Sequence, residues 1–76
     1  MKAINNELLT TAIFEGAKMM NWDIYYLSES EKLSVACYWF DQCAYDAGYH
    51  TRTGKMWARL SDKADLLAKQ ASPYSF

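Results

Sequence analysis

Apolar residues recur at helical spacing in three separate stretches of this chain. Between Asn6 and Met20, the residues Leu8, Leu9, Ala12, Ile13, Gly16, Ala17 and Met20 share one side at 100° per residue, which predicts a first helix over 6–20. Asn5 or Asn6 is placed to cap its free N–H groups, and Glu7 suits the positive end of the helix dipole. Gly16 costs up to about 1 kcal/mol relative to alanine in mid-helix. Its place on the apolar side predicts close approach of a neighbouring helix.

The second stretch has the clearest punctuation. Ser28-Glu29-Ser30-Glu31 reads as a capping box, in which the serine hydroxyl and the Glu31 carboxylate satisfy each other's backbone N–H. Leu33, Ala36, Cys37, Phe40, Cys43, Ala44 and Ala47 then form an unbroken stripe, and Gly48 ends the helix in a left-handed cap, giving 29–47. In the third stretch Met56, Trp57, Leu60, Ala64, Leu67, Ala68 and Ala71 predict a helix over 53–71. Thr51 or Thr53 caps it, and Ser72-Pro73 stops it, because the residue before a proline is pushed out of the helical region. The tail 72–76 is expected to be flexible or docked, with Tyr74 and Phe76 folding back on the bundle.

Residues 21–27 lose the helical period and are rich in β-favouring Trp, Ile and Tyr. They are expected to form an extended, largely buried connector, with a strand or a continuation of the first helix as alternatives. The fold class predicted is therefore all-α, a compact three-helix bundle with an extended aromatic connector between helices 1 and 2. Its 76 residues make a single helical domain over 1–76, since a second core would need roughly 50 residues more.

Composition narrows the functional classes. Hydrophobic residues at 51% against 22% charged favour a packed domain over a disordered one, and a net charge of −1 shows no basic excess overall. No apolar run approaches the roughly 18 residues of a membrane span, and the N-terminal residues lack the apolar segment of a secretory leader. Cys37 and Cys43 would stand about 9 Å apart along one helix, beyond the ~7 Å limit for a disulfide. Reduced thiols and no leader predict a cytoplasmic protein, in the host cytoplasm if it is phage-encoded.

Candidate chemistry is sparse. His50 is the single histidine, in a polar turn, and Cys37 and Cys43 are expected to pack as small apolar groups. Together these three residues supply too few ligands, at no recognised spacing, for structural zinc. Asp62, Asp65, Glu29 and Glu31 fall on polar arcs with nothing apolar to raise a carboxyl pKa. No phosphate loop, dinucleotide fingerprint or nucleophile elbow is present. The expectation is no enzyme, no metal and no cofactor.

The second helix carries more apolar surface than one packed side requires. Opposite its stripe lie Tyr38, Tyr45, Tyr49 and Val35, interleaved with Asp41, Gln42 and Asp46. Either the connector and tail cover this flank, or it stays at the surface as a contact patch, since tyrosine combines apolar area with a polar tip. The second reading makes Tyr38, Tyr45, Tyr49, Val35, Gln42, Asp41 and Asp46 partner-binding residues, extended by Trp22, Tyr25 and Tyr26. Phe14 and Leu66 are isolated apolar residues on polar arcs.

Residues 43–60 hold Ala44 and Gly48 four apart, and Trp57 where a packing residue of a second helix is expected. This stretch resembles the helix-turn-helix family of DNA-binding proteins, and the resemblance implies DNA contacts at Arg52, Thr53, Lys55 and Arg59. Gly54 departs from it, standing where that family carries a branched core residue. The whole profile is similar in type to small phage-encoded inhibitors of host enzymes or defence systems. The function expected is thus a small non-catalytic module, an inhibitor or adaptor, binding a larger protein or complex through an aromatic helix face. A helix-turn-helix regulator and a structural homo-oligomer, including a homodimer through the same face, are the alternatives. No membrane partner is expected.

Overall fold

A computed structural model describes residues 4–71 of the chain. Three helices follow one another, α1 (Asn6–Met20), α2 (Glu29–Ala47) and α3 (Arg52–Ala71), so the architecture is an all-α three-helix bundle. Most of the helix ends are closed by a local side chain or a special backbone conformation. The Asn5 carboxamide oxygen accepts from the Glu7 and Leu8 N–H groups at 2.8 and 3.3 Å. At the other end of α1, Asn21 turns left-handed at φ 57°, its N–H donating to Lys18 and that of Trp22 to Ala17. That double return satisfies carbonyls the helix would leave free.

The capping box at the start of α2 is formed in full. Glu31 N–H donates to Ser28 Oγ at 3.2 Å, and Ser28 N–H donates to Glu31 Oε1 at 3.0 Å. The Ser28 backbone first, and its hydroxyl second, hold the Glu31 carboxyl below the usual glutamate range. Gly48, at φ 92°, ends α2, and Thr51 caps α3 by accepting the Gly54 N–H at 2.9 Å. The third helix thus begins at Arg52, one residue before the position predicted.

Small side chains let α2 and α3 lie antiparallel along most of their length. The Ser30 hydroxyl donates to the Ala68 carbonyl at 3.0 Å, and the Ser61 hydroxyl donates to the Cys37 carbonyl at 3.1 Å. At the turn, Gly54 sits directly on the Gly48 carbonyl, where no β-carbon would fit. Gly54, Ser61 and Ala68 recur every seven residues, the interval that keeps one stripe of a helix on its neighbour. Side-chain hydroxyls reaching a backbone carbonyl across the seam require the two helix axes to be close.

Helix α1 packs on another flank of α2. Phe40, fully buried, has ring centroids 5.6 Å from Trp39 and 6.0 Å from Trp57, and Ile4, Ala12, Ala36 and Ala64 complete the buried cluster. Leu8, Leu9, Ile13 and Leu60 close over it. Ser61 is the single buried polar residue among those described, and its hydroxyl is bonded.

Two expectations need correction. The connector is not extended and buried: Ile24–Tyr26 form a single 3-10 turn, capped by Asp23 accepting from the Tyr25 N–H, with Tyr25 91% and Tyr26 84% exposed. Val35 is not surface: it is fully buried, pressed against Gly16 of α1. The suggestion that Tyr74 and Phe76 fold back lies outside the described residues. Among those described, no helix is long and apolar enough to cross a membrane.

Candidate protein-binding surface

With α1 against Val35 and α3 against Cys37, one flank of α2 is left uncovered by the described residues. It carries Ser34, Tyr38, Asp41 and Tyr45, all exposed, with Tyr49 just past the helix end. Tyr38 is 39% exposed, Tyr45 68% and Tyr49 49%. The tyrosines are ordered by one another and by an acid. The Tyr49 hydroxyl donates to Asp41 Oδ1 at 3.1 Å, and the Tyr45 and Tyr49 rings meet edge to face with centroids 6.2 Å apart. Loss of hydration in this cluster, and then the hydrogen bond and charge of Asp41, hold the Tyr49 phenol above its usual range. The second Asp41 oxygen has no hydrogen-bond or ionic partner among the described residues.

The remaining sequence-predicted members divide. Asp46 is exposed and Gln42 half-buried beside the cluster, whereas Val35 belongs to the core and drops out of the surface. Trp22, Tyr25 and Tyr26 are exposed on the connector, and Phe14 and Leu66 are exposed on α1 and α3. Met56 and Leu67, which the periodicity placed on the packed arc of the third helix, are exposed, as is Met19 of α1.

Arg52, Thr53, Lys55 and Arg59 are all exposed on the outer side of α3. Their setting differs from a helix-turn-helix, in which the two helices cross at about 90–120°. Here contacts at Gly48–Gly54, Cys37–Ser61 and Ser30–Ala68 keep α2 and α3 antiparallel, as in a helical hairpin.

Charge is sorted by helix, a property the total conceals. Four carboxylates and one lysine leave α2 at −3, while five basic residues and two aspartates leave α3 at +3. The three ion pairs among the described residues, Glu15–Lys18, Glu29–Lys32 and Asp65–Lys69, each lie within one helix. Counting charge per helix would have found this asymmetry in the sequence.

Among the described residues no three His, Cys, Asp or Glu side chains gather to hold a metal, and both cysteines are free thiols. Burial, and then Asp46, push the Cys43 thiol up. Compared with protein-family models, curated proteins and solved structures, the chain matches none.

Proposed function

We propose that this protein is a small non-catalytic binding module that docks on a protein partner through the uncovered flank of α2. The observation that carries the reading is the exposure of Tyr38, Tyr45 and Tyr49 on a helix whose other flanks are consumed by α1 and α3. Small domains seldom leave aromatic surface contiguous without a use for it. Three tyrosines each burying ~100 Å² contribute roughly 7 kcal/mol gross at ~25 cal/mol/Å². Association itself costs at least ~4 kcal/mol. The acidic residues Asp41 and Asp46 then favour a partner whose facing surface is basic. Inhibition or adaptation of a larger assembly is the mode of action this design serves.

The test is affinity capture from the producing cell, with Tyr38→Ala/Tyr45→Ala as the matched control. A partner held by the wild type and lost by the double variant, at unchanged helicity, supports the proposal. Equal capture by both would remove the tyrosine flank from it.

A further inference from the structure

We infer that a second copy of this chain is an occupant of the tyrosine flank, in a twofold pairing of α2 with the partner's α3. This deepens the reading above and rests on it. Tyr38, Asp41 and Tyr45 follow one another at i, i+3, i+7 on α2, and Arg52, Lys55 and Arg59 follow the same interval on α3. Both stripes are exposed, and each is about 10.5 Å long at 1.5 Å per residue. None of these charged side chains has an ionic partner within its own chain among the described residues.

Laid antiparallel, the two stripes match to within one residue. Arg59 falls on Tyr38, Lys55 beside Asp41, and Arg52 on Tyr45. An arginine over a tyrosine face gains the attraction of a cation for the ring, and planar guanidinium stacks well there. Lys55 meets the Asp41 oxygen that Tyr49 leaves free. Because α2 and α3 of one copy are antiparallel, a twofold axis parallel to the helices sets α2 of each copy on α3 of the other, again antiparallel. Every contact then occurs twice, as an isologous interface requires. The opposite charges of α2 and α3, which no ion pair joins within the chain among the described residues, face one another between copies.

Sedimentation velocity of the full chain over about three decades of concentration tests this. A monomer–dimer equilibrium that weakens with added salt is expected. Asp41→Lys and Lys55→Asp should each weaken self-association at least about tenfold, since either one places two like-charge contacts in the dimer. Mixing those two variants in equal amounts should restore association. Each introduced charge then faces its opposite, and the untouched Asp41–Lys55 contact survives on the other side of the axis. A monomer at every concentration, or a dimer indifferent to both substitutions, would overturn the inference. If that monomer keeps its melting temperature in Tyr45→Ala, only the second copy is lost as occupant. A fall of many degrees in Tyr38→Ala or Tyr45→Ala would instead show the rings to be structural, and the contact-surface reading would go as well.

Discussion

Gly16 offers Val35 a bare α-carbon: a β-carbon built there would stand 2.6 Å from both Val35 Cγ1 and the Val35 carbonyl oxygen. Alanine is ordinarily worth about 1 kcal/mol more than glycine inside a helix. Here the gain is outweighed, because the carbonyl belongs to the α2 backbone and cannot step aside as a side-chain tip would. Gly16→Ala is expected to cost about 1–3 kcal/mol net, the range of overpacked cores. Thermal denaturation followed by circular dichroism should show a melting temperature lower by several degrees. An unchanged or higher value would mean that α1 can back away from α2 freely.

Phe40 and Tyr45 lie on one helix and should answer truncation very differently. Phe40 is fully buried between Trp39 and Trp57, so Phe40→Ala should cost about 3–5 kcal/mol, a large part of the stability of a domain this size. Tyr38→Ala and Tyr45→Ala should each stay within about 1 kcal/mol of the wild type. Urea titration of the three variants separates these outcomes.

Loss of hydration, and then Asp41, raise the pH at which Tyr49 ionises. Because the folded phenol is raised above its unfolded value, its contribution to stability is complete below the ordinary tyrosine pKa and is lost as pH rises through the folded one. Asp41→Asn removes the negative charge, so Tyr49 should ionise at lower pH. Ring-carbon NMR titration of the wild type and the variant measures the difference directly. No downward movement would mean that Asp41 does not govern the phenol.

Glu31 gives the opposite sign. Its carboxyl is held below the unfolded value by the Ser28 backbone and hydroxyl, so the capping box contributes fully above the ordinary glutamate pKa. The contribution fades as pH falls through the depressed value. Glu31→Gln should therefore have a melting temperature that declines less steeply than that of the wild type between about pH 5 and pH 2. Parallel slopes would contradict a charged capping box.

Punctuation carried most of what the sequence disclosed. Ser28, Glu31 and Gly48 act within one turn of the chain, and α2 runs over the residues they bracket. The connector was misread because the β preference of Trp22, Ile24, Tyr25 and Tyr26 is a property of packed sheet surfaces, and no strand is there to pack on. The better signals were Asn21, which tolerates the left-handed turn, and Asp23, which bonds the Tyr25 N–H two residues on. Val35 fell on the wrong side for a different reason. Helical spacing shows that a residue lies off the main stripe, but not that a second helix arrives there. Gly16 announced a close approach without saying to what. The exposure of Tyr38, Tyr45 and Tyr49 likewise depended on where α1 and α3 dock, which is long-range information.

The seam between α2 and α3 has one further implication, for the order in which this molecule comes apart. Its closures at Gly48–Gly54, Cys37–Ser61 and Ser30–Ala68 form like the teeth of a zip running outward from the four-residue turn of Gly48, Tyr49, His50 and Thr51. Each tooth brings together segments already held near one another by the tooth before it, so little chain entropy opposes the next. Helix α1 has no such ladder and must find its place after a detour through residues 21–28. The hairpin is therefore the unit that survives partial opening, and the helix shed first is the one whose departure uncovers Val35.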